Sequence, residues 1–488
     1  MTEQQRTSNP VPERKHTVYT LFLLLAAALL LRLVVFLCYP SMYWPDEVYQ
    51  TREAAHRLAF GIGVIPWEFR LGMRSWVLPG VIAAIMKCTS WIAPGSSGYN
   101  FGIAFFFSLL SLTVVWFAYS WCREYFGLAY ANVAAFSAAI WFELVNFGAR
   151  SLTEVIAGNL FLPAIYLGFC AVDRKPGKKW LLFSVGVLLG LTVSLRVQFG
   201  PAVLLVGLWI MSRDWRRRFV PVALGGFLVV ALFGIVDAIT WSYPFYSYYS
   251  YFRENILHHH AADFGVLPWY YYLLSLFTHT GPLPLFALLG ARRSPVLGWI
   301  CLAVLLPHML LSHKEFRFIY PVLPLLLILA SIGILDLLRA FQLKAGWLRS
   351  PWATQLVAAC FFLLCSVVLA ARFPRWDNAR GALRAFSRLA EDPKACGVAV
   401  TNMSWVDPGG YTYLHRPIPV FFYRNSSNEK LDPQSFNRIV TRASVPVEAQ
   451  GFSPSICKDG VCIFSRDGDC RPGDSGHEIN AYLKRIGE

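Results

Sequence analysis

Charge is what this sequence has least of. Asp, Glu, Lys and Arg make up 15% of the 488 residues, against about 25% in an average soluble chain. A water-facing surface for a chain of this length cannot be built from that supply, so a soluble globular fold is excluded. Disorder is excluded by the hydrophobic content of 56%, and the composition fits neither collagen nor a small disulfide scaffold. Acidic residues are the scarcer sign, 29 against 44 basic ones, which leaves a net charge of +15. In a soluble chain that excess would suggest nucleic acid; in a membrane chain it points to basic cytoplasmic loops, and no nucleic-acid partner is expected. There is no Walker loop, dinucleotide fingerprint, short-period repeat or zinc-type Cys-x-x-Cys pair.

What the sequence has in quantity is apolar runs. A spanning helix needs about 20 such residues. Candidate stretches lie at roughly 17–38, 75–93, 100–122, 129–147, 152–171, 180–195, 198–212, 219–241, 269–290, 295–312, 317–338 and 351–371. The expected fold is an all-α polytopic membrane protein with 11–13 transmembrane helices. The first run is too long for a signal peptide and lacks a small-residue cleavage site, so it reads as an anchor in which Arg32 snorkels or faces the bundle. Four short connections, at 173–179, 213–218, 292–293 and 339–349, carry net charges of +3, +3, +2 and +3, which marks them as cytoplasmic. The alternation puts a tail at 1–16 in the cytoplasm, the transmembrane domain at 17–371 and everything after 372 outside. It also requires an odd number of crossings within 75–122, where two apolar segments are visible. One of them is re-entrant, or a further short span is hidden.

Residues 372–488 alone have a soluble composition, with 29 charged residues in 117. They are expected to form a small α/β extracytoplasmic domain. Cys457-Lys-Asp-Gly-Val-Cys462 reads as a hairpin with Asp459-Gly460 at its turn. A cross-strand Cys457–Cys462 disulfide would leave Cys396 and Cys470 to pair, as suits an oxidising compartment; the alternative is four reduced thiols.

The polar residues that a bilayer must tolerate gather in the outer loops. The loop at 39–74 holds four acids, Asp46, Glu47, Glu53 and Glu68, and four arginines, Arg52, Arg57, Arg70 and Arg74. A helix N-terminus after Pro45 would account for one acid but not for the whole set. His313-Lys314-Glu315-Phe316-Arg317 lies between two spans, where two cations and an acid are costly unless paired or bound to ligand. Lysine, arginine and imidazole suit a phosphate head group, and Arg196 and Gln198 lie on the same side. Around 243–272 aromatics are dense, as an interfacial belt would be. His258, His259 and His260 are consecutive and cannot share one helical face, so no metal is expected there. Glu143 and Glu154 flank Arg150 and are expected to pair with it or with the bundle interior.

Pro45-Asp46-Glu47, Trp67-Glu68 with Arg74-Ser75, and His313-Lys314-Glu315 with Arg317 and Pro321 resemble glycosyltransferase family 22. Its eukaryotic members are mannosyltransferases that assemble N-glycan precursors and glycosylphosphatidylinositol (GPI) anchors. The likeness runs from about residue 17 to 371. Pro268-Trp269 is similar to a further family segment, while the last region is similar only through Tyr411-Thr-Tyr413-Leu-His415. The sequence departs from the family pattern at Val48-Tyr49-Gln50, at Phe69 and at Arg196-Val197-Gln198, which bears on the acceptor. The resemblance implies a GT-C fold, a polyprenyl-phosphate sugar donor with mannose the first choice, a lipid-linked or glycan acceptor, and inversion at the anomeric carbon.

On this reading Asp46 is the general base, with Glu47 or Glu68 orienting the acceptor or an arginine. Lys314, Arg317 and His313, with Arg70, Arg74 or Arg196, bind the donor phosphate, and Glu315 holds these cations. Gln198 and Trp269 complete the substrate-binding candidates. The leaving phosphate is already a good anion, so neither metal nor cofactor is required. The rival classes are a GT-C transferase of another sugar, of aminoarabinose or glucose type, and a lipid-linked sugar flippase, whose polar residues would be spread through its spans. Arginine outnumbers lysine 33 to 11, which suggests a bacterial inner membrane with a periplasmic site; the endoplasmic reticulum is the alternative.

Overall fold

A computed structural model describes residues 11–173, 178–212, 214–345, 350–373, 376–424, 431–444, 451–471, 473 and 476–487. The rest of the tail at 1–16 and parts of three basic connections lie outside the described residues. Among the described residues, six helices are long and apolar enough to cross a membrane: Tyr19–Cys38, Ser96–Tyr125, Thr153–Asp173, Trp215–Thr240, Val322–Gln342 and Trp352–Arg372. Two further pairs are bent, Leu128–Ile140 with Phe142–Gly148 by 60° and Tyr271–Thr280 with Leu283–Arg293 by 103°. The second bend has a local cause. Gly281 takes a left-handed φ of 58°, and the following proline cannot continue the preceding ladder. Four shorter apolar helices, Val77–Ile92, Lys179–Leu195, Val197–Ser212 and Pro295–Leu310, complete the set.

The odd-crossing problem is resolved by Val77–Ile92. This helix buries Leu78, Ile82, Ala83 and Met86 against Ala55 and its neighbours, so it lies along the helix Glu53–Phe60 of the preceding loop. Immediately after it, the Tyr99 hydroxyl donates to the Thr412 carbonyl at 2.6 Å, and Asn100 donates to the same oxygen at 3.1 Å. The helix therefore starts and ends at the end of the bundle that carries the C-terminal region. The next helix, Ser96–Tyr125, reaches the opposite end. There Tyr130 donates to Asp336 at 2.5 Å, Arg293 to Asp336 at 2.8 Å and Arg339 to Tyr130 at 3.0 Å. With each bent pair taken as one span, up to eight spans among the described residues are long and apolar enough to cross, and Val77–Ile92 is not one of them.

Small residues set the closest approaches. A Cβ on Gly186 or Gly225 would strike the facing backbone of helices Lys179–Leu195 and Trp215–Thr240, the close backbone packing that membrane bundles use. Arg32 faces the bundle, donating to Ser111 Oγ at 2.8 Å and to the Ala28 carbonyl at 3.0 Å.

The C-terminal region is a five-stranded sheet of order β2-β1-β3-β5-β4, with β1 Val398–Thr401, β2 Val420–Tyr423, β3 Arg438–Arg442, β4 Ser453–Lys458 and β5 Val461–Ser465. β1 runs parallel to β2 and β3, and β5 runs antiparallel to β3 and β4. Asp459 and Gly460, at φ 50° and 76°, make the tight β4–β5 turn that favours this dipeptide. Disulfides join Cys396 to Cys470 and Cys457 to Cys462. The helices Arg380–Ala390 and Ile479–Ile486 bury Leu383, Phe386, Leu389 and Leu483 against the sheet.

Candidate active site

Pro45 opens the loop after the first helix. A π-helical turn, Val48–Arg52, then leads into Glu53–Phe60, which stops at Gly61 with φ 80°. Such turns often mark functional positions. Here it follows directly on two neighbouring acids that face opposite ways. Glu47 turns inward, 2% exposed: its Oε1 accepts from Arg150 Nη1 at 2.7 Å and from the Tyr43 N–H at 2.7 Å, and Arg52 lies 3.8 Å from Oε2. Asp46 turns outward, into a cavity of about 770 Å³. Its Oδ2 accepts from Arg317 Nη2 at 2.6 Å, and its Oδ1 accepts no hydrogen bond among the described residues.

Arg317 is the hub of this site. From a 3₁₀ turn, Phe316–Ile319, its guanidinium reaches Asp46, Glu154 at 2.7 Å and Glu315 at 2.5 Å. Burial works against its charge, but three carboxylates hold its pKa well above the ordinary value. Burial likewise opposes ionisation of Glu315, yet Arg317 and His313 outweigh it and hold its pKa down at about 2. His313 Nε2 donates to the Glu315 carboxylate at 2.9 Å; that bond raises its pKa. Arg196 extends the network, 3.9 Å from the second oxygen of Glu154, with its guanidinium over the Phe318 ring. Across the cavity Glu68 accepts from Gln50 at 2.8 Å and lies 4.0 Å from Arg74. Burial raises the Glu68 pKa, and the Asp46 charge adds to that rise.

Eight of the residues singled out from the sequence line this one cavity: Asp46, Glu68, Arg74, Arg196, Gln198, His313, Glu315 and Arg317. Gln198 donates to Tyr251. The other four lie off its wall. Glu47 supports Arg150. Arg70 donates to the carbonyls of Ile65 and Leu483, at 3.1 and 3.3 Å. Lys314 donates to the carbonyls of Leu267 and Leu311, where it ties two chain segments together. Trp269 is 62% exposed and packs on Tyr270.

Glu154 belongs to the site through Arg317 and Arg196. Of the two partners expected for Glu143 and Glu154, Arg150 or the bundle interior, neither acid takes Arg150, which bonds Asn146 and Glu47, and Glu143 takes His279 at 2.5 Å. Trp405 and its neighbours Ser404 and Val406 also reach the wall from the sheet region. Tyr49 fixes them, donating to the Val406 carbonyl at 3.0 Å with its ring 4.7 Å from Trp405. No linear motif announces that contact.

The sheet region holds the loop through a buried acid. Glu53 accepts from the Val64 N–H at 2.6 Å, and from the Thr412 N–H and hydroxyl at 2.5 and 2.6 Å. Burial pushes its carboxyl up to about 7 despite those bonds. His56, its neighbour one turn on, meets His415 at 2.9 Å, and burial lowers its pKa to about 4. The Tyr411-Thr412-Tyr413-Leu414-His415 segment is therefore a clamp on the loop at 39–74.

Residues 20–415 match the Alg9-like mannosyltransferase family. GPI mannosyltransferase 3 of Yarrowia lipolytica is 28% identical over 449 residues, 83% of this chain and 76% of that one. GPI alpha-1,2-mannosyltransferase 3 of Mus musculus is 26% identical over 408 residues, 78% of this chain and 70% of that one. Among solved structures, ArnT from Cupriavidus metallidurans, bound to undecaprenyl phosphate, shares the fold with a TM-score of 0.63 and 12% identity over 93% of this chain and 99% of that one. An oligosaccharyltransferase of Archaeoglobus fulgidus does so with a TM-score of 0.52 at 12% identity, over 86% and 68%. The chain thus belongs to the Alg9-like mannosyltransferase family and is a multi-pass membrane glycosyltransferase of GT-C fold.

Proposed function

We propose that this enzyme moves mannose from a polyprenyl-phosphate donor to a hydroxyl of a lipid-linked glycan, with inversion at the anomeric carbon. The observation that carries the reading is the placement of Asp46: one oxygen held by Arg317, the other unbonded, on the wall of a cavity large enough for two sugars' worth of contacts. Asp46 takes the proton of the acceptor hydroxyl as that oxygen attacks, and the phosphate leaves from the opposite face of the sugar. Arg317 positions Asp46 and, with Arg196 and Arg74, supplies positive charge for the departing phosphate. Glu315, Glu154 and His313 hold those cations in place. Glu68 orients the acceptor, and neither metal nor cofactor enters the transfer.

Undecaprenyl phosphate in the ArnT neighbour and the names of the relatives support the donor class. The basic side chains Arg293 and Arg339 lie at the far end from the cavity, which supports an active site on the non-cytoplasmic face. The two disulfides of the C-terminal sheet region, which reaches the cavity through Trp405, support an oxidising compartment on that face, and we assign it to the periplasmic face of a bacterial inner membrane. The test is a membrane assay with polyprenyl-phosphate mannose and a panel of lipid and glycan acceptors, read by product mass. A hexose added to an acceptor, dependent on Asp46, is expected. Activity with nucleotide-sugar donors alone would overturn the reading.

A further inference from the structure

The segment from Arg253 to Phe264 forms one side of the cavity, through Asn255, Ile256, His259, Ala262 and Phe264. Outside the cavity it holds a second group of ionisable side chains. Glu254 Oε2 lies 2.8 Å from His258 Nδ1 and 3.5 Å from His260 Nε2, and ligand atoms of the three residues all fall within 4.8 Å of one another. The histidine run was discounted because consecutive residues diverge on a helix. The chain is not helical through it. The π-turn Arg253–Leu257 ends, His259 takes a left-handed φ of 57°, and a 3₁₀ turn starts at His260. That single residue turns its two neighbours to the same side.

The spacing of the ligand atoms suits a cation. His260 Nδ1 lies 3.1 Å from Asp263 Oδ2, and its Nε2 faces Glu254 Oε2 at 3.5 Å, too long for a good hydrogen bond. Two ligands on a tetrahedral ion with bonds of about 2.0–2.1 Å sit about 3.3 Å apart. Asp263 is also placed as the carboxylate that commonly orients a metal-bound imidazole. Arg253 pairs with the other oxygen, Oε1, at 2.6 Å, so Glu254 is left with Oε2 as a single ligand atom. No second basic side chain faces the three ligand atoms in the described residues.

We propose that Glu254, His258 and His260 bind a divalent cation of the zinc type, with Asp263 orienting His260 and water in the remaining position. The ion takes no part in sugar transfer. It cross-links the two halves of the segment that walls the cavity, next to Trp67 of the catalytic loop, whose ring lies 5.9 Å from His260. The site stands whether or not the assigned donor is correct, because binding is measured without turnover.

The test uses the full chain, purified in detergent without a histidine tag, stripped with chelator and titrated with Zn²⁺ by calorimetry, with metal content read by mass spectrometry. About one equivalent per chain is expected. His258→Ala and His260→Ala should each abolish stoichiometric binding, and Asp263→Asn should weaken it by about 10–100-fold. His259→Ala, whose imidazole is not a ligand, should keep it. Co²⁺ in place of Zn²⁺ should give the visible absorption of a tetrahedral site in the wild type and in His259→Ala, and none in His258→Ala or His260→Ala. Both imidazoles are about half exposed, and His258→Asn and His260→Asn give the same readout with a smaller change of shape. Absence of stoichiometric binding by the wild type, or binding unchanged in the His258 and His260 variants, overturns the proposal.

Discussion

Replacing Asp46 with asparagine changes one oxygen to an amide at nearly constant shape. Arg317 loses its 2.6 Å contact to Oδ2 but keeps Glu154 at 2.7 Å and Glu315 at 2.5 Å, so a buried cation is not left unpaired. The variant should fold and reach the membrane with an unchanged thermal midpoint. Asparagine cannot take the acceptor proton. General-base catalysis is worth about 10²–10⁴-fold, so kcat should fall by that factor, about 3–5 kcal/mol of barrier. Removing a negative charge beside Arg317 leaves more positive field for the donor phosphate, so the donor KM should stay level or fall. That split separates a base from a structural acid, whose loss would raise KM or lower stability. The assay is initial-rate transfer from polyprenyl-phosphate mannose in membranes, with donor and acceptor varied in turn. A kcat within about threefold of the wild type would refute the assignment of Asp46.

Glu47→Ala should act on stability instead: it removes the carboxylate that neutralises buried Arg150 and the acceptor of the Tyr43 N–H, at about 3–5 kcal/mol, read as a lower thermal midpoint and poor recovery from the membrane. Arg196→Ala should raise the donor KM about ten- to hundredfold, the loss of a charged hydrogen bond worth about 1.5–3 kcal/mol. Lys314→Ala, whose ammonium serves carbonyls, should lower the thermal midpoint and leave donor KM within about twofold. Glu68 has a pKa raised by burial and by Asp46, so it is neutral at low pH and adds repulsion as it ionises. Donor KM should therefore rise with pH above the ordinary carboxylate range, and Glu68→Gln should flatten that rise. In the sheet region, Cys396→Ser with Cys470→Ser opens a loop with a separation of 74 residues, against 5 for Cys457 and Cys462. Chain entropy puts the first loss near 4 kcal/mol and the second near 2, an order that chemical denaturation of the purified protein reads directly.

The parts of the molecule that are local in sequence were legible there. Spans follow from runs of apolar residues, the β4–β5 turn from Asp459-Gly460, and the acid and basic motifs from side chains that a bilayer does not tolerate idle. What was not legible depends on direction or on long-range contact. Asp46 and Glu47 are adjacent, and only the tertiary fold shows that one faces the cavity and the other Arg150. Lys314 and Arg317 read alike as phosphate ligands, yet a strand-like Glu315 between them sends the two cations to different places. Val77–Ile92 is apolar enough to resemble a span; its partner is the preceding loop, which composition does not record. Glu154 lies in the middle of an apolar helix start, and its two arginines come from positions 196 and 317.

The same scarcity of charge that marks the chain as a membrane protein constrains its chemistry. A cavity beside the hydrocarbon cannot hold free cations at rest, because an unpaired buried guanidinium is too costly. Arg317 is accordingly saturated by three carboxylates before any substrate arrives, and a phosphate cannot simply add to it. Arg196 and Arg74 are different: their carboxylate contacts stand at 3.9 and 4.0 Å, near the limit of an ion pair, and both line the cavity. These looser cations can turn toward an incoming phosphate at small expense, while Arg317 stays to aim Asp46. On the proposed mechanism, the motif that drew attention in the sequence thus serves the base as much as the donor, and the donor's first contacts fall to two arginines outside it, Arg196 and Arg74.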